Sequence, residues 1–103
     1  MNEEQKRYMV VVHDEVAQMM YSHIRFLANV SIPAARKLRS TLYEAFSSLE
    51  TMPQRCSIYK TRRASGTYRQ LVVGRYKIVF SINEEKSIVA ICYIFDSRQD
   101  NEI

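Results

Sequence analysis

The sequence predicts an α+β fold in which a helix hairpin packs on a small antiparallel sheet, in the order β-α-α-β-β-β. Three observations predict it. From Tyr68 to Phe95 run three apolar stretches rich in Val, Ile and aromatic residues, broken at Gly74-Arg75 and at Asn83-Glu84-Glu85-Lys86, which is the pattern of a strand meander. Between Asp14 and Leu49 the apolar residues instead recur at spacings of three and four, the period of a helix face. Ahead of both stands a short β-branched run around Val10-Val11-Val12. A chain of 103 residues is expected to form a single domain, residues 1–103, around one core.

The elements follow in order. Tyr8 to His13 reads as a strand. Asp14 is placed to cap a first helix, with Glu15 favourable in its first turn. Val16, Met19, Met20, His23, Ile24 and Leu27 make its apolar face, which is expected to be core. Asn29 to Ile32 is the break between helices. Pro33 belongs in the first turn of a second helix, with Ser31 or Ile32 just outside it. Ala35, Leu38, Leu42, Ala45 or Phe46, and Leu49 form its stripe, and Met52-Pro53 closes it. Gln54 to Thr67 reads as a basic loop with a short extended piece at Ile58-Tyr59. Tyr68–Val73 and Tyr76–Ile82 are expected to be strands joined tightly at Gly74-Arg75. Ser87–Phe95 is apolar at every alternate position on both faces, so it is expected to be buried on both and interior to the sheet.

The net charge of +4 is local. Residues 1–52 hold six basic and six acidic side chains. Residues 53–83 hold seven basic ones and no acid: Arg55, Lys60, Arg62, Arg63, Arg69, Arg75 and Lys77. A surface built from these would attract phosphates or acidic protein segments. No apolar run is long enough for a membrane span, and the polar start of the chain carries no apolar leader, so the cytoplasm is the expected location and no membrane partner is expected. Cys56 and Cys92 are then expected as free thiols.

Familiar catalytic constellations are mostly missing. With only Gly66 and Gly74 there is no phosphate-cradling glycine loop. His13 and His23 have no partner at metal-ligand spacing, so neither a metal nor a cofactor is expected. The candidate site is the set of strand cations. Arg69, Lys77 and Arg98 lie on or beside successive strands, near Tyr68, Tyr76 and Tyr93. Converging at one sheet edge, they would hold phosphate while the tyrosines stack on bases, or grip acidic protein side chains. As catalysts they would have to stabilise transition-state charge without a histidine or carboxylate base.

The chain resembles the RelE/ParE superfamily of bacterial type II toxins over about residues 8–100, and is most similar to its ParE-like branch. The resemblance rests on Pro33-Ala34-Ala35 with Leu38, Leu42 and Leu49, on Met52-Pro53, on the run Arg69-Gln70-Leu71-Val72-Val73-Gly74-Arg75-Tyr76, and on Ser97-Arg98-Gln99-Asp100. It implies a toxin of the kind that stabilises plasmids, neutralised by a cognate antitoxin whose segment wraps around it. It implies one of two targets: DNA gyrase for the ParE-like branch, or messenger RNA cut on the ribosome for the RelE-like branch. For a nuclease, Arg69, Lys77 and Arg98 fall where such enzymes keep basic catalytic residues. Three departures weigh against that. Gln70-Leu71-Val72 stands where a second lysine belongs, Asp96 where many relatives have histidine, and no tyrosine follows Asp96. The expectation is therefore a gyrase-directed growth inhibitor, with an endoribonuclease or a non-toxic protein-binding relative as alternatives. Arg55, Lys60, Arg62, Arg63, Arg69, Arg75, Lys77 and Arg98 are its expected target- or antitoxin-binding residues. The loop Arg55 to Arg63 is expected to pair with acidic antitoxin residues. The bound segment is expected to lay a helix over the helix hairpin and a strand at the sheet edge.

Overall fold

The computed structural model describes residues 6–60 and 66–96. Strand β1 (Met9–Val12) leads into helix α1 (Asp14–Val30) and helix α2 (Ile32–Ser48). A 3₁₀ turn at Pro53–Arg55 then opens the meander of β2 (Ser57–Tyr59), β3 (Tyr68–Val73), β4 (Tyr76–Asn83) and β5 (Ile88–Asp96). The sheet order is β1-β5-β4-β3-β2. The expected helix hairpin on a sheet is what forms, and β2 to β5 pair antiparallel throughout. Strand β1 differs: it joins β5 in parallel, Val10 opposite Val89 and Val12 opposite Ile91. The two-helix excursion between β1 and the meander is long enough for the crossover that a parallel pair requires. The extended piece at Ile58-Tyr59 is a true edge strand.

The helices begin and end for local reasons. The first residue of α1 is Asp14, so the cap position falls on His13, which makes no side-chain capping bond. Asp14 and Glu15 act instead through their charge, in the first turn where the helix dipole favours acids. Ser31 alone separates the two helices. Its N–H donates to the Leu27 carbonyl, closing α1, while its Oγ accepts from the Ala34 N–H at 3.2 Å, opening α2. Helix α2 stops at Ser48, before Met52-Pro53. Met52 adopts a left-handed conformation at φ 49°, and Pro53 starts the 3₁₀ turn from there. Gly74 takes φ +59° in the two-residue turn between β3 and β4, a conformation that glycine adopts freely.

The core lies between the hairpin and one sheet face. Leu38, Leu42, Phe46 and Leu49 of α2 and its end meet Ile78, Phe80, Val89 and Ile91, the last four fully buried. One expectation is corrected here. Strand β5 is interior, but it is not covered on both faces, and its simple alternation does not hold. The register with β4 shifts between Val79 and Phe80, so Cys92 is an extra residue in β5. Val89, Ile91 and Ile94 therefore face the helices, while Tyr93 and Phe95 point to the open face, where Tyr93 is 46% exposed.

Candidate functional site

Lys77 stands near the start of β4 on the open face, between Val72 of β3 and Phe95 of β5. Its Nζ lies 5.8 Å from the centroid of the Tyr59 ring and 5.9 Å from that of Phe95. Those rings meet edge to face at 6.3 Å. Two aromatic faces thus hold the ammonium by cation–π attraction. The arrangement fixes a cation on the sheet surface, where it can meet an anion.

Arg69 is elsewhere. It pairs with Phe80 across β3 and β4, which turns it to the helix side. There its Nη1 donates to the Cys56 carbonyl at 2.6 Å and to the Gln54 carbonyl at 3.2 Å. It staples the 3₁₀ turn and the start of β2 to the meander. The structure therefore does not bring Arg69 and Lys77 together. Arg98, Arg62 and Arg63 lie outside the described residues, and so does the end of the proposed Arg55–Arg63 contact.

The other cations are dispersed. Arg55 donates from Nη1 to the carbonyls of Ser48, Thr51 and Met52 at 3.1 to 3.2 Å. These are the orphan acceptors at the end of α2, where a cation also suits the helix dipole. Arg75 in the β3–β4 turn pairs with Asp96 at 3.2 Å. Lys60 is exposed just after β2. Among the described residues the basic stretch thus divides into three local structural ties (Arg55, Arg69 and Arg75), the exposed Lys60 and the aromatic-flanked Lys77.

A cleft of about 240 Å³ opens where the hairpin meets the end of the sheet, walled by Met19, Met20, Leu38, Leu42, Ile94 and Phe95. His23, Tyr76 and Asp96 supply its polar groups. The His23 Nε2 and Tyr76 hydroxyl are hydrogen-bonded at 2.9 Å, tying α1 to β4. An apolar cleft with a few polar groups suits one anchoring side chain or a small ligand. The sequence did not reveal it, because it needs the register that sets Tyr76 beneath His23. Tyr59 escaped notice for the same reason.

The remaining reactive groups are quiet. Burial pushes the Cys56 and Cys92 thiols above their ordinary pKa, so neither is primed as a nucleophile. Glu84 goes the other way, to about 2, because the Tyr8 hydroxyl, the Gln54 amide and the Lys6 ammonium all donate to its carboxylate. That network ties the β4–β5 turn to the chain ahead of β1. No group of three or more His, Cys, Asp or Glu side chains able to hold a metal occurs among the described residues. No helix among them is long and apolar enough to cross a membrane.

A helix hairpin on one face of a five-stranded mixed sheet, with cations on and around that sheet, is the architecture of the RelE/ParE toxins. The chain belongs to the family of ParE toxins of type II toxin–antitoxin systems, parDE, whose model matches residues 10–101. No significant match to a curated protein was found. Among solved structures, the chain is similar to one in the RelBE2 toxin–antitoxin complex from Mycobacterium tuberculosis. There the TM-score is 0.61 and the identity 18%, over 92% of this chain and 97% of the other. It is also similar to one in the archaeal RelE–RelB complex from Pyrococcus horikoshii, with TM-score 0.51 and identity 18% over 90% and 98% of the two chains.

Proposed function

We propose that this toxin arrests bacterial growth by acting on DNA gyrase and that a cognate antitoxin holds it inactive. The observation that carries the first part is the placement of the strand cations. A nuclease relying on Arg69 and Lys77 needs both at one phosphate. Arg69 instead spends its donors on the Gln54 and Cys56 carbonyls, on the opposite side of the sheet from Lys77. A protein target asks for no such convergence.

The antitoxin part is supported by family membership and by the two similar structures, both of toxin–antitoxin complexes. It also has a physical footing. Met19, Phe26 and Val30 recur at helical spacing along α1 and are 57%, 67% and 74% exposed. They continue the apolar wall of the cleft outward. A partner helix laid along α1 would cover this stripe and drop one side chain into the cleft.

One observation favours the alternative, a ribosome-dependent endoribonuclease. Lys77, with its ammonium against the Tyr59 and Phe95 rings, offers a cation to a phosphate on the face where Tyr93 offers a ring to a base. Inducing the chain alone in bacteria separates the readings. Double-strand breaks with an SOS response and intact transcripts are expected for the gyrase reading. Cut transcripts without DNA damage would replace it with the nuclease. Normal growth with soluble protein would make the chain a non-toxic, partner-binding relative.

A further inference from the structure

The outer face of the helix hairpin carries a second set of cations, separate from the sheet. Tyr21 and Arg25 are one turn apart on α1, and Arg36, Arg39 and Tyr43 share one face of α2 at helical spacing. The Tyr21 and Tyr43 hydroxyls are hydrogen-bonded at 3.1 Å, which sets these two faces side by side. The Arg39 guanidinium lies over the Tyr43 ring, 5.1 Å from its centroid. All five side chains are exposed. Among the described residues none of the three arginines forms an ion pair. Residues 16–43 contain four cations and no carboxylate, and the hairpin's acids, Asp14, Glu15 and Glu44, lie toward its other end.

We infer that this face binds the phosphate backbone of duplex DNA, independently of base sequence. Its charge and its phenolic donors match phosphates, which need cations and hydrogen-bond donors and nothing apolar. A docked protein would instead need an apolar centre to bury. Besides the two tyrosine rings this face offers one aliphatic side chain, Ile32 at its end, because the other exposed apolar side chains of α1 run along the separate stripe of Met19, Phe26 and Val30. The inference goes beyond action on gyrase and does not require it.

The test is fluorescence anisotropy of a short, random-sequence labelled DNA duplex with the full chain, titrated from low to physiological salt. Three arginines neutralising one phosphate each predict a slope of about −3 for log affinity against log salt. The triple variant Arg25→Gln/Arg36→Gln/Arg39→Gln is expected to lose at least about tenfold in low-salt affinity and most of that slope. Arg36→Gln alone, a single exposed helix substitution that leaves the fold intact, is expected to reduce the slope by about one. The double variant Lys37→Gln/Lys86→Gln, off this face, is expected to bind nearly as the parent does. Unchanged duplex binding by the triple variant would overturn the inference. So would a parent that ignores the duplex and binds polyglutamate through the same arginines. Duplex binding by a chain that leaves gyrase untouched would uphold this inference while defeating the gyrase reading.

Discussion

Arg69 shows how a side chain with a catalytic look can be a strut. Of its two charge-assisted bonds, the one at 2.6 Å to the part-buried Cys56 carbonyl satisfies an acceptor that water reaches poorly, while the one to Gln54 is exposed. Arg69→Gln is therefore expected to lower unfolding free energy by about 1 to 3 kcal/mol, read from urea denaturation. A fully stable variant would contradict the structural role. Glu84 gives the residue-scale pH prediction. Its folded pKa, about 2, lies below the ordinary carboxylate value. The unfolded state therefore binds its proton first as pH falls, and the contribution is lost between about pH 4.5 and 2. Glu84 is exposed, so solvent screens the effect and its size is modest. The stability difference between the parent and Glu84→Gln, measured by denaturation at several pH values, is expected to shrink across that window. A difference independent of pH would refute the sign. Neither role was legible in the sequence. Both partners of Arg69 are backbone carbonyls, and Glu84 meets Tyr8 across 76 positions.

At the scale of elements, the boundary of the two helices rests on one residue. Ser31 accepts from Ala34 N–H and donates to Leu27, and Pro33 fixes φ in the first turn of α2. Ser31→Ala is expected to cost about 1 kcal/mol, and Ser31→Asn to restore most of it, both by thermal melts. Equal melting of the serine and alanine forms would show that the cap contributes nothing. Helix period, strand composition and the Gly74-Arg75 turn made these elements readable, because each is a short-range property of the chain. The extra residue at Cys92 was not. A bulge leaves the strand's composition unchanged and alters only pairing, so the sequence showed β5 as apolar on both sides while the register turned Tyr93 and Phe95 outward. The parallel docking of β1 escaped for the same reason.

At the scale of the whole molecule, the hairpin covers one sheet face, and Lys77 stands partly buried on the other. Among the described residues, Lys77 is the strand cation on the sheet face away from the helices, so its removal is the most direct test of that face. Lys77→Met loses the attraction to the Tyr59 and Phe95 rings, worth about 0.5 to 1 kcal/mol, while the methionine stem keeps the apolar packing between them. The variant is expected to fold, to bind its antitoxin and, on the gyrase reading, to arrest growth as the parent does. On the nuclease reading the same variant would lose transcript cleavage, since no second cation from Arg69 reaches that face. Growth curves after induction, with circular dichroism to verify the fold, decide between them. A folded Lys77→Met that no longer arrests growth would move the toxic surface to the open face of the sheet.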